Sequence, residues 1–227
     1  MVHGGPNGYF GDTWSWRWNP QLFAAHSHLI AMVNFHGSVS FGEKFARSVL
    51  GDWGGAPATD IHLVTDALIA EKLAESDRVA VAGGSYGGYM AAWLVTQTQR
   101  FACAIAHAPV TDFQGMFGTD VLQGFDEELG AWPWAGPEGE AKFFKHDPMT
   151  YVGNVSTPVM VVHGAKDYRV PYSQGLGFYG ALKARGVTAR LVVFPGENHW
   201  ILQRENSLRW YHEVLGWLDR FLPAPLV

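Results

Sequence analysis

The chain has 227 residues, 48% hydrophobic and only 16% charged, enough apolar material for a substantial buried core. A formal net charge of −5, with no lysine- or arginine-rich run, excludes the basic footprint of a nucleic-acid binder or of a protein held on an anionic membrane. One cysteine, Cys103, excludes an intrachain disulfide framework and any zinc site built on several thiolates.

Short aliphatic runs alternate along the chain with longer amphipathic stretches, the pattern of βαβ units around a buried parallel sheet. Strands are predicted at 29–35, 78–83, 102–107, 158–163 and 190–194, each closed by glycine, proline or a polar residue. Helical spacing fills the gaps. The stretch 60–75 carries Ile61, Val64, Leu68 and Leu73, with Asp60 as a cap, and 88–99 follows the second strand. The stretch 173–185 ends at a C′ glycine, Gly186, and 206–221 carries Leu208, Tyr211, Leu215 and Leu218 on one face and stops before Pro223. Residues 113–151, rich in Gly, Trp and Phe and without a clean period, read as a short helix and loops over the C-terminal edge of the sheet, where ligands bind in open α/β folds. The expected architecture is an α/β-hydrolase fold, a mostly parallel sheet flanked by helices, in one domain over residues 1–227. The first residues form neither a basic n-region nor an apolar h-region, and no apolar run is long enough to span a membrane, so a cytoplasmic protein is expected.

Gly83-Gly84-Ser85-Tyr86-Gly87 matches G-x-S-x-G between a strand and a helix. Such a sharp turn pushes a serine hydroxyl outward as a nucleophile, with the helix N-terminus adding positive potential beside it. A glycine-rich turn is the plain alternative, and the strand-to-helix position argues against it. In this fold the acid and then the histidine follow the serine. Asp167 follows the fourth strand and His199 the fifth, both on the edge of the sheet that carries Ser85. His199 would act as general base and Asp167 would hold its tautomer. Among rival acids, Glu197 lies two residues before His199 and could orient it only if the loop turned back on itself, and Asp112 and Asp120 come too early to follow the usual strand. Among rival histidines, His107 and His163 end strands and read as buried. His3 and His36 fall in loops near the site, while His26, His28, His62, His146 and His212 read as surface or capping residues. His3-Gly4-Gly5-Pro6 is an H-G-G-type loop able to present one backbone donor to an oxyanion, the second being the N–H of Tyr86.

Gly83 to Met90, Asp52-Trp53-Gly54-Gly55, His163-Gly164 with Asp167 to Pro171, and Glu197 to Trp200 together resemble the prolyl oligopeptidase family of serine peptidases, specifically its acylaminoacyl-peptidase and dipeptidyl-peptidase-five-like branch. Trp14 to Pro20 and Asn206 to Trp210 extend the likeness nearly end to end. The resemblance implies acyl-enzyme hydrolysis of peptide, acyl-amino-acid or small ester bonds by Ser85, Asp167 and His199, with no cofactor and no metal. A carboxylesterase with little peptidase activity is the alternative. It implies oxyanion donors at Gly5 and Tyr86, a substrate-carbonyl contact from Arg169, and a specificity pocket near Val110, Phe113, Met116 and Val170. Core packing is an equal reading for those last four.

The chain departs from the family in three respects. Family members usually carry an N-terminal β-propeller, and residues 1–227 hold no such repeat. His36 stands in Asn34-Phe35-His36-Gly37-Ser38 where the family often has arginine, and Glu43 stands where it often has glutamine, both expected near the site. Only Met1 and Val2 precede H-G-G-P, although in this fold that loop follows a strand between the first two strands predicted above. An unfilled slot would leave backbone groups unpaired. The sequence therefore predicts closure by a register adjustment or by a strand from another subunit, and with it a homo-oligomer.

Overall fold

A computed structural model describes residues 1–119 and 123–222. In chain order it holds α1 (Pro20–Ala24), α2 (Glu43–Arg47), α3 (Ala56–Ala70), β1 (Ala80–Gly84), α4 (Tyr86–Gln97), β2 (Cys103–His107), α5 (Phe125–Leu129), α6 (Gly136–Phe144), β3 (Val159–Gly164), α7 (Tyr172–Ala184), β4 (Ala189–Phe194) and α8 (Arg204–Phe221), with 3₁₀ turns at Gln114–Gly118 and Pro148–Asn154. The strands run parallel in the order β1-β2-β3-β4, in a register that pairs Ala82 with Ile105, Ile105 with Met160 and Met160 with Arg190.

Both faces of the sheet are covered, which is why β2 and β3 are apolar without interruption. Ala104, Ala106, Val159 and Val161 face a layer that includes Ile61 of α3, Met90 and Leu94 of α4, and Phe178 and Leu182 of α7. Cys103, Ile105, Met160 and Val162, one residue out of phase, face Trp210, Val214, Leu215 and Leu218 of α8. Each such aliphatic side chain contributes roughly 1.5–3 kcal/mol by leaving water. Cys103 belongs to this packing, and burial pushes its thiol up to about 12, so it stays protonated and inert.

Four predicted strands and four predicted helices are present with shifted ends. Residues 29–35 are the exception. Only Val33 makes a bridge, parallel to Val2, while Leu29 and Met32 are exposed. Aliphatic composition marks a strand, but a strand is defined by pairing along its length, and this run pairs at one bridge. Val2 bridges Val33 on one side and Gly83 on the other, donating from its N–H to Ala82 O (2.9 Å), so the slot between them is filled at this point. Helix α3 begins at Ala56 rather than at Asp60, because Pro57 suits a first turn, and it ends at Ala70, which leaves Leu73 exposed. Asp60 is no cap. Its carboxylate accepts from the backbone N–H and ring of His36. Leu208 is exposed on α8, whereas Leu215 and Leu218 are buried as expected, beside Trp210, Val214 and Trp217. Among the described residues no helix is long and apolar enough to cross a membrane.

Candidate active site

Parallel strands send all their C-terminal ends to one edge of the sheet, and the chemically capable side chains gather there. β1 ends at Gly84, and Ser85 sits at φ 61°, ψ −122° before α4 begins at Tyr86. A non-glycine residue in that region is strained, and the surroundings hold it in place. Ser85 N–H donates to His107 O (2.9 Å) at the end of β2, and Ser85 O accepts from Tyr89 N–H (2.8 Å). The flanking glycines are dictated by space. A Cβ on Gly83 would lie 2.6 Å from the carbonyl oxygen of Val2, and one on Gly87 only 2.2 Å from it. On the other side the H-G-G loop presses on the serine, for a Cβ on Gly4 would stand 3.3 Å from Ser85 Cβ. Gly5, at φ 135°, adopts backbone that only glycine takes readily. His3 anchors this loop. Its ring stacks on Phe35 at 4.2 Å, with Nε2 2.8 Å from Ser38 Oγ and Nδ1 2.9 Å from Gly4 O.

Asp167 lies in the turn after β3 and is buried. Oδ1 accepts the N–H groups of Arg169 (3.0 Å) and Val170 (2.9 Å), and Oδ2 lies 2.7 Å from His199 Nδ1. Burial alone would raise this carboxyl. Bonds from His163 and His199, the charge on His199 and the Val170 N–H outweigh it and hold Asp167 well below the usual carboxylate range. The carboxylate is therefore fixed in position and ionised, able to orient an imidazole and to stabilise its cation.

The other titratable groups have structural partners. His163 Nε2 lies 2.8 Å from Val170 O. His107 Nδ1 accepts from Trp210 Nε1–H (2.8 Å). Burial, together with the charges of His163 and His199, lowers His107 to about 3, so it stays neutral. Glu197 is buried and accepts from Leu202 N–H, Gln203 N–H and Asn206 Nδ2 at the start of α8. Asp112 accepts from Gln114 N–H, and Asp120 lies outside the described residues. His146, expected at the surface, is buried against Trp93.

A cavity of about 1090 Å³ opens over this edge and brings together Gly4, Gly5, Ser85, Tyr86, Val110, Met116, Arg169, Val170 and His199. Arg169 makes no ion pair among the described residues, so its guanidinium is available to a ligand. Phe113 does not line the cavity. It is fully buried behind the wall, 5.7 Å from Trp53 and 6.1 Å from Phe125, centroid to centroid. His36 and Glu43 do not line it either. His36 is turned away by its 2.6 Å contact with Asp60. Trp53, Phe125 and Glu128 also line the cavity, as does the segment Tyr9 to Gln21, in which Arg17 lies 4.1 Å over the Trp200 ring. The D-W-G-G motif already singled out Trp53. Nothing in the sequence marks Phe125 or Glu128.

The family model described as the prolyl oligopeptidase family matches residues 14–224. The chain belongs to the prolyl oligopeptidase family. Among curated members, the dipeptidyl-peptidase 5 of Schizosaccharomyces pombe is 35% identical over 222 residues, covering 96% of this chain and 32% of that protein. A dipeptidyl-peptidase 4 of Giardia intestinalis is 36% identical, covering 97% of this chain and 30% of that protein. Among solved structures, an acylaminoacyl peptidase in complex with Z-Gly-Gly-Phe-chloromethyl ketone superposes with a TM-score of 0.89 at 30% identity, covering 97% of this chain and 36% of that one. A puromycin hydrolase gives 0.88 at 28% identity, covering 97% of this chain and 33% of that one. The fold is thus that of the α/β-hydrolase peptidases of the family, and the chain spans about a third of the length of the relatives it matches.

Proposed function

We propose that this chain is the catalytic portion of a serine peptidase that hydrolyses peptide or acyl-amino-acid bonds through an acyl-enzyme on Ser85. The observation that carries the reading is the 2.7 Å contact from buried Asp167 to His199, on the sheet edge where the strained turn projects Ser85.

With Asp167 on Nδ1, the His199 tautomer leaves Nε2 free to take the Ser85 proton as Oγ attacks the carbonyl. The oxyanion then meets the N–H of Tyr86, a first-turn group of α4 with no partner inside its own helix, and the backbone of Gly5 across the cavity. His199 returns the proton to the leaving amine, and water repeats the cycle on the acyl-enzyme. Arg169 holds a further substrate carbonyl through its planar donors. Val110, Met116 and Val170 wall the pocket for the residue on the acyl side of the cleaved bond.

The test is a side-by-side measurement of kcat/KM on a dipeptidyl nitroanilide and a short acyl nitrophenyl ester, with Ser85→Ala in parallel. Anilide turnover that disappears in the variant supports the peptidase. Turnover of the ester alone makes the protein an esterase.

A further inference from the structure

Two acidic residues line the cavity. Asp12 is exposed, whereas Glu128 is half-buried on the same face of α5 as Phe125. The backbone of Glu128 is fixed, its carbonyl accepting from Gly51 N–H (2.8 Å) and its N–H donating to Gly124 O (3.1 Å). The first of these bonds joins α5 to the Asp52-Trp53-Gly54-Gly55 turn. The Glu128 carboxylate makes no hydrogen bond or ion pair among the described residues, whereas its neighbour Glu127 pairs with Arg47 at 2.7 Å in the open. A carboxylate drawn into a cavity without a counter-ion is unfavourable until something supplies one. Its pKa reflects this, since desolvation and then the charge of Glu127 push it up to about 7.

The surrounding walls define what could supply that partner. Tyr86, Trp53 and Phe125 all line the cavity, with ring centroids 5.2 Å apart for Trp53 and Tyr86 and 5.9 Å for Trp53 and Phe125. The negative charge of Glu128 is felt at the Tyr86 phenol. Aromatic faces and one unpaired carboxylate form a surround that favours an ammonium over either a neutral or an anionic group.

We propose that Glu128 is the counter-ion for a primary ammonium group of the substrate. This rests on the cavity being the substrate site of a Ser85 hydrolase. Two parts of a peptide carry that chemistry, the free amino terminus and a lysine side chain, and two substrate pairs separate them. One pair is a dipeptidyl nitroanilide with a free or an acetylated amino terminus. The other is an acetylated peptidyl nitroanilide with lysine or norleucine on the acyl side of the cleaved bond. The wild-type protein should prefer the ammonium-bearing member of one pair. Glu128→Gln should lower that preference by about ten- to a hundredfold in kcat/KM, the range of a hydrogen bond to a charged group. Glu127→Gln, on the exposed side of the same helix, should leave it unchanged.

A wild-type protein with no preference in either pair, or the same preference in Glu128→Gln, overturns the proposal. Labelling by a fluorophosphonate separates the two levels of the argument. A labelled variant with an unaltered preference sinks the role of Glu128 alone. A wild-type protein that takes no label sinks the hydrolase reading and this proposal with it. Should Glu128→Gln take no label, Glu128→Asp, with its charge on a shorter arm, carries the same test and must show a reduced preference.

Discussion

Asp167→Asn removes a charge while leaving the shape of the turn nearly unchanged. The asparagine oxygen can keep the bonds from Arg169 N–H and Val170 N–H, at 3.0 and 2.9 Å, so the loop should hold. The amide nitrogen must then replace Oδ2 in the contact with His199 Nδ1, 2.7 Å away. Being a donor, it selects the tautomer with a bare Nδ1 and a protonated Nε2, and such a ring cannot accept the proton of Ser85. Losing a hydrogen bond to an ionised partner accounts for about 1.5–3 kcal/mol. The wrong tautomer brings the total to about 10⁴-fold in kcat, roughly 5.4 kcal/mol at 1.36 kcal/mol per decade. The assay is kcat on a nitrophenyl ester at fixed pH, with thermal unfolding as the control for folding. A folded Asp167→Asn protein within tenfold of wild type would refute the assignment of Asp167 as the orienting acid.

Gly87→Ala places a methyl 2.2 Å from Val2 O, so the Met1–Val2 bridge must shift and take Gly4 and Gly5 with it. Lower thermal stability and at least a tenfold loss of activity are expected, the scale of an impaired oxyanion donor. Arg169→Ala should raise KM for peptidyl nitroanilides more than for a short acyl ester, since only the former offers a further carbonyl, and equal effects on both would count against that contact. Stability should fall gently from about pH 6.5 down to about pH 4.5 and then more steeply, because His3, His28 and His62, all lowered chiefly by burial, add to two more strongly lowered histidines. His107 and His146, lowered to about 3 and about 4 by burial, each leave the folded state about one proton short of the unfolded chain in that window, so both destabilise as pH falls. For fully buried His107 the slope is about 1.4 kcal/mol per pH unit. Glu128 and Asp147, both raised to about 7 chiefly by burial, hold about one extra proton each in the folded state and offset His107 and His146 until they saturate near their unfolded values. Below that point His107 and the depressed Asp167 act unopposed. Glu128→Gln should therefore steepen acid unfolding between pH 4.5 and 6.5 in chemical denaturation series, and an unchanged pH profile would contradict this balance.

The parts of the site legible in the sequence were those fixed by local backbone geometry. G-x-S-x-G between an apolar run and a helix needs only a strand-to-helix turn, and the acid and histidine loops follow the same chain logic. Residues whose role depends on packing across distant segments were not legible. Glu127 and Glu128 are adjacent and chemically identical, and only the docking of α5 against the Gly51 loop sends one to solvent and the other to the cavity. Phe113 has the composition of a pocket wall but stands one layer behind it, because Trp53 and Phe125 reach the surface first. His107 reads simply as the polar end of a strand, and its bond from Trp210 Nε1–H arises from the docking of α8 against β2. The run at 29–35 shows the opposite error, for its strand-like composition is met by a single bridge, from Val33 to Val2.

The central claim is that Ser85 is a nucleophile activated by His199 and Asp167. It is tested most directly by the intact mass of the protein after reaction with a fluorophosphonate. One phosphonyl adduct on the peptide containing Ser85, absent from Ser85→Ala and formed far more slowly in His199→Gln, is the expected result. Folded wild-type protein that gains no mass, or Ser85→Ala that gains the same mass, would contradict it.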